Sequence, residues 1–157
     1  MRSAGRRLVL LDTNVLVTAV DVREQDKAEI AARMLSAIIT AGLAVVSPQV
    51  IAEDIDVTTR SSGRTPALFS RDEAVVAARA ILASSRCVDL TALTTLEAAR
   101  AAARYQMRIY DAHIWAVAHA HGIDSILTED TPGRPSIEGV RYVNPFAPSF
   151  KLAQIGL

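Results

Sequence analysis

Leu8-Val9-Leu10-Leu11-Asp12-Thr13-Asn14 sets four apolar residues directly against three polar ones. A strand exposed on one face alternates apolar with polar residues, whereas an unbroken apolar run marks a strand covered on both faces. The polar trio then falls at the strand's carboxyl end, the edge of a parallel sheet where ligands collect. Working outward, we read a helix over about Lys27 to Ala41, with Ile30, Met34, Ala37 and Ile38 on one face and Gly42 as its C-terminal cap. Leu43 to Val46 is a second short apolar strand. Ser47-Pro48 is an N-cap followed by proline at the first helical position, which starts a helix running to about Arg60 with Val50, Ile51 and Ile55 inward.

Residues Ser61 to Ser70 read as a loop, and Ser70 or Asp72 opens a helix carrying Val75, Val76, Ala80 and Leu82. Cys87 to Leu90 is read as a third strand. Thr94 or Thr95 begins a helix to about Arg108, a further helix covers Asp111 to Ala120, and Ile126 to Thr128 and Val140 to Val143 are the last strands. Strands alternating with helices predict an α/β layer fold with a mostly parallel sheet.

At 157 residues the chain has the size of one domain. We expect a single unit over 1–157, its core at about 8–146 and a tail at 147–157. Half the residues are hydrophobic and 22% charged, so a sizeable core is available and disorder is excluded. Seventeen basic and seventeen acidic side chains cancel, which leaves no broad cationic field for nucleic acid. Any polyanion must find a local patch. The single Cys87 rules out an intramolecular disulfide framework. The basic opening from Met1 to Arg7 resembles a signal n-region, but the apolar run behind it stops at Asp12, too short for a signal core. We therefore expect a soluble, cytoplasmic protein with no membrane partner.

Asp12 closes the first strand, Glu53 lies in the helix entered from the second, Asp111 opens a helix, and Asp130 follows the fourth strand. All four are expected at one edge. Like charges held 4 Å apart cost about 1 kcal/mol per pair in water and about 4 at an effective dielectric of 20, a repulsion that a cation relieves. All-oxygen donors select Mg²⁺ or Mn²⁺ over zinc, and a pair of such ions suits phosphodiester cleavage. An aspartate after a strand also serves as a helix cap or turn former, and spacing leaves both readings standing. Asp54, Asp56, Asp124 and Glu129 are read as surface charges, with Asp56 as the reserve ligand.

Four stretches carry a resemblance: Leu-Leu-Asp12-Thr13-Asn14-Val-Leu-Val, Ser47-Pro48-Gln49-Val50-Ile51-Ala52-Glu53, Tyr110-Asp111-Ala112-His113-Ile114-Trp115, and Leu127-Thr128-Glu129-Asp130 with Gly139 to Phe146 after it. In this order they resemble a PIN domain of the VapC type. The resemblance implies a three-layer α/β/α fold and a Mg²⁺- or Mn²⁺-dependent endoribonuclease acting on RNA. It also implies the toxin of a type II toxin–antitoxin pair, held by a VapB-like antitoxin and commonly a homodimer. By motif position Asp12, Glu53, Asp111 and Asp130 would form the catalytic and metal site, with Asn14 and Thr128 supporting them. The chain departs from the family pattern at Asp54 and Asp56, and at Thr131-Pro132-Gly133-Arg134-Pro135, where relatives often carry a further acid.

Arg100, Arg104 and Arg108 recur at helical spacing towards Asp111, and Arg134 stands near Asp130. They are candidates for RNA phosphates or an acidic antitoxin segment, or else a solvated face. His113, His119 and His121 form no metal motif: position 113 lies about 200° round the helix from Asp111. Trp115 is read as a core anchor and Cys87 as a packed residue. No P-loop, Gly-x-Gly-x-x-Gly or Gly-x-Ser-x-Gly pattern occurs. A receiver domain would need a lysine after a later strand, where neither Lys27 nor Lys151 falls. A non-catalytic binding module on the same fold, or an RNA-processing nuclease without an antitoxin, remains as the alternative.

Overall fold

The computed structural model describes residues 7–157; Met1 to Arg6, and with them most of the basic opening, lie outside the described residues. The first strand, β1 (Val9–Leu11), is central, hydrogen-bonded in parallel to β2 (Ala44–Val46) on one side and β4 (Ser125–Leu127) on the other. Beyond β2 lies β3 (Arg86–Cys87), and beyond β4 lie β6 (Val140–Val143) and β5 (Ser136–Ile137). The order is β3-β2-β1-β4-β6-β5, and β5 alone runs antiparallel.

Alternate residues of the central strands enter two separate cores, which is why the apolar runs are unbroken. Val9, Leu11, Val46 and Leu127 pack under α1 (Thr13–Val20), α2 (Gln25–Thr40), α3 (Pro48–Thr59) and α4 (Arg71–Ser84). Leu10, Val45 and Ile126 pack under α5 (Ala92–Tyr105) and α6 (Ile109–Ala120). The result is a three-layer α/β/α architecture. Trp115 is the fully buried anchor of the second core, and its Nε1 donates to the Ile137 carbonyl at 3.1 Å. Beyond β6, Phe146, Phe150 and the buried Ile155 pack on the first core. No helix among the described residues is long and apolar enough to cross a membrane.

Several elements differ from the sequence reading. The helix α1 follows β1 with only Asp12 between, although no N-terminal signal beyond Asp12 itself announced it; its carboxylate accepts from the Thr13 amide as N-cap. The helix α5 starts two or three residues early because Thr91 forms a reciprocal cap with Thr94. On α4 the inward residues are Ala74 and Ala78, while Val75, Val76 and Leu82 are exposed, since this small-residue stripe permits close approach to α3. Likewise Ile30 is exposed on α2, where Ala31, Met34 and Ile38 face the core. Cys87, expected to pack, is exposed because β3 is a two-residue edge strand.

Truncating the anchor tests this layering. Trp115→Ala is expected to lower unfolding free energy by about 3–5 kcal/mol in urea titrations, through the cavity and the stranded Ile137 carbonyl.

Candidate functional site

At the carboxyl edge of the parallel strands lies a cleft of about 760 Å³ whose lining includes Asp12, Glu53, Asp111 and Asp130. Each acid arrives on a different segment. Asp12 ends β1, Glu53 lies on α3 behind β2, Asp111 is in the first turn of α6, and Asp130 follows β4. Neighbouring parallel strands deliver the first, second and fourth side by side, and α6 brings Asp111 from the layer behind.

Asp12 is the most tightly held. Its Oδ1 accepts from the Thr13 amide at 2.7 Å; its Oδ2 accepts from the Thr128 hydroxyl at 2.7 Å and from Asn14 Nδ2 at 3.3 Å. Burial pushes the Asp12 carboxyl above its usual range, the Thr128 and Thr13 hydrogen bonds pull it back, and the charges of Glu53 and Asp111 raise it further. Asn14 also donates to Asp130 Oδ2 at 3.3 Å and to Thr128 Oγ1 at 3.1 Å, while its own Oδ1 accepts from the Glu129 amide at 3.2 Å. Asn14 and Thr128 therefore join β1 to the segment bearing Asp130. The Asp111 carboxyl is raised mainly by burial and also by the Asp130 and Glu53 charges, and is lowered by Arg108, whose Nε lies 3.4 Å from Asp111 Oδ2.

Two supporting residues escaped the sequence reading. Gln49 Nε2 donates to Glu53 Oε1 at 2.7 Å, and Thr13 Oγ1 donates to Glu53 Oε2 at 3.2 Å. Gln49 lies one helical turn before Glu53, so the i, i+4 rule pointed to it. Thr13 meets Glu53 only through the packing of α1 on α3, for which the local sequence holds no signal.

The arginines part company. Arg108 lines the cleft. Arg100 instead forms ion pairs with Glu97 at 2.6 Å and Glu138 at 3.0 Å, and Arg104 approaches Glu138 at 3.9 Å. The Arg134 guanidinium lies over the Tyr105 ring. His119 stacks on Trp115 and reaches towards Glu138, while the His121 ring meets the Asp89 carbonyl. Glu97, His119 and Glu138 bring three ligand atoms within 4.8 Å of one another, but Arg100 already binds both carboxylates.

Among the described residues no three of the cleft acids reach that spacing, so an entering ion would have to draw them inward. The donor set nevertheless fits a hard divalent cation. It offers oxygens only, and its Asp12 and Asp111 carboxyls are driven up by burial and by neighbouring carboxylates.

Asp54 is a correction: expected at the surface, it is buried on the same α3 stripe as Val50, Ile51 and Thr58. Helical spacing of three and four residues carries it inward. Its carboxyl is pushed up to about 6 by burial. Asp56 stays exposed on the cleft wall, paired with Arg60.

Fold and site together define an α/β protein with an acidic cleft at the carboxyl edge of its parallel sheet. The chain belongs to the PIN domain family, whose model matches residues 9–132. No curated protein sequence matches the chain significantly. Among solved structures, it is similar to VapBC2 from Rickettsia felis bound to a promoter DNA fragment, at TM-score 0.65 and 15% identity over 87% of this chain and 98% of that one. It is also similar to Mycobacterium tuberculosis VapC20, described as a sarcin-ricin loop cleaving toxin, at TM-score 0.60 and 20% identity over 75% and 86%. A toxin–antitoxin complex from Klebsiella pneumoniae aligns at TM-score 0.62 and 18% identity over 88% and 98%. At these identities the likeness is one of fold.

Asp54 yields a pH-dependent prediction. The folded chain holds this proton more tightly than the unfolded one, so the contribution is complete below the ordinary 3.8 and is lost as pH rises through about 6. Asp54→Asn is therefore expected to raise stability by about 2–3 kcal/mol near neutral pH, at about 1.4 kcal/mol per pKa unit, and to be neutral in acid. Urea unfolding across a pH series measures both limbs.

Proposed function

We propose that the chain is a Mg²⁺- or Mn²⁺-dependent endoribonuclease and the toxin of a type II toxin–antitoxin pair. The observation that carries this reading is the gathering of Asp12, Glu53, Asp111 and Asp130 from four separate segments into one cleft. Four acids at surface turns would each keep their own water. These instead share a framework in which Thr128, Asn14, Thr13 and Gln49 direct hydrogen-bond donors at the carboxylates. Such outlay of polar groups fits ligands held in place for an ion.

In this proposal Asp12, Glu53, Asp111 and Asp130 hold the ions, and Asn14 and Thr128 orient Asp12 and Asp130. Divalent ions at such a site supply water activation and neutralise charge on a phosphodiester. Burial raises the Asp12 carboxyl, and the Thr128 hydroxyl and the Thr13 amide pull against it. Gln49 and Thr13 keep both Glu53 oxygens turned towards the cleft. Of the four candidate arginines, we assign Arg108 to substrate; Arg100 and Arg104 are engaged by Glu138, and Arg134 lies over Tyr105.

The VapB-like antitoxin partner is supported by the Klebsiella neighbour, described as a toxin–antitoxin complex, and by the likeness to Rickettsia VapBC2. An RNA substrate is in keeping with the Mycobacterium neighbour, described as a sarcin-ricin loop cleaving toxin. We extend to this chain the cytoplasmic location and homodimer that this type implies. A non-catalytic module would keep the fold without saturable metal uptake, so Mn²⁺ calorimetry separates the two.

Asp12→Asn and Asp111→Asn are each expected to lower RNA cleavage by at least about a hundredfold while leaving circular dichroism unchanged. Excess EDTA should abolish wild-type cleavage, and added Mn²⁺ should restore it. Full activity of Asp12→Asn, or activity that survives chelation, would refute the proposal.

A further inference from the structure

The acidic cleft poses a problem for any polyanion: each nucleotide brings a phosphate to a wall of carboxylates. Its rims carry the answer. Arg60 ends the α3 wall and Arg108 opens the α6 wall, so a cation stands on each side of the acids. Both are strongly exposed, Arg108 at 85% of its side chain, and each leans on a single carboxylate, Asp56 or Asp111. Exposed pairs of this kind contribute little, so a phosphate can take the guanidinium over at little cost.

Between Arg108 and Asp111 stands Tyr110. It lines the same cleft and is 62% exposed, although a tyrosine ring normally buries most of its surface. Its aromatic contact is with the edge of His113, at 6.3 Å between centroids and 61° between planes, which leaves a ring face uncovered. Its backbone is tied across the cleft, because Gln49 Nε2 reaches the Tyr110 carbonyl at 3.4 Å as well as Glu53. The backbone that carries the ring is thus held beside Glu53 and Asp111. By contrast Trp115, the other aromatic of this helix segment with a large flat ring, is fully buried and unavailable to a ligand.

We infer that Tyr110 is a stacking platform for an unpaired RNA base next to the scissile phosphate, with Arg108 and Arg60 holding the phosphates that flank it. The inference rests on the endoribonuclease reading and assigns a base-binding residue to that site. An A-form duplex keeps every base face covered by its neighbours, and its reading passes through the minor groove rather than through an aromatic shelf.

The test measures fluorescence anisotropy of a short labelled RNA strand, and of the same strand in a duplex, with the full chain in an Asp12→Asn background. Tyr110→Ala is expected to weaken single-strand binding about tenfold, and Tyr110→Phe to hold it within about twofold. Duplex binding should be weaker and unmoved by either change. Removing one base at a time from the strand should find one position whose loss matches Tyr110→Ala and adds nothing to it. A merely structural role would not produce that pairing. If the wild type cleaves RNA but Ala and Phe bind alike, or the duplex loses as much as the strand, this inference falls alone. A wild type that neither binds nor cleaves either RNA overturns the nuclease reading and the inference with it.

Discussion

The constraint on which the site depends is the partial burial of one carboxyl group, that of Asp12, at the end of the central strand. Removing a carboxylate from water is costly unless donors replace the lost solvent. Three do so: the Thr13 amide, the Thr128 hydroxyl and the Asn14 side chain. Thr128 is available only because β4 lies beside β1 in parallel register, Leu11 opposite Leu127. Asn14 is available only because α1 starts without a connecting loop. The donors that hold Asp12 also reach Asp130, and a neighbouring one reaches Glu53, so the same contacts that make this partial burial tolerable assemble the acidic edge.

A second polar cluster stands outside the cleft and has a structural task. Glu138 sits in the turn between β5 and β6, at the amino end of β6, with the unusual positive φ of 45°. Arg100 binds it with two nitrogens and Tyr105 donates to it at 2.6 Å. The Arg100 guanidinium first, and the Tyr105 hydroxyl next, hold the Glu138 carboxyl down at about 2. The cluster clips the edge hairpin to α5. It also explains why a stripe of arginines leading towards Asp111 delivers only its last member to the cleft: the helix turns the earlier two towards Glu138. Chelation by Glu97, His119 and Glu138 would have to displace this guanidinium, and so the trio is better described as an ion-pair brace.

The structural comparisons are consistent with a scaffold that tolerates wide sequence change. Neighbours near 15–20% identity keep the fold over most of both chains. The physical basis is that a strand buried on both faces requires apolar residues of suitable volume rather than particular ones. Polar residues at the strand ends face a stricter demand, because a carboxylate and its donor must meet at hydrogen-bond distance.

The local sequence determined the strands β1, β2, β4 and β6, the polar trio at the end of β1, the Ser47-Pro48 helix start and the position of each cleft acid relative to its own element, but held no sign of β5 and placed β3 too late. Apolar runs and caps are short-range signals, set by burial on two faces and by unpaired helix amides. Tertiary structure alone decided which side chains meet. The contact of Thr13 with Glu53, the inward turn of Asp54, the diversion of Arg100 to Glu138 and the exposure of Cys87 on an edge strand all depend on strand order and helix packing. Residues tens of positions apart become neighbours only when the layers close, and one sequence read along its length carries no record of that distance.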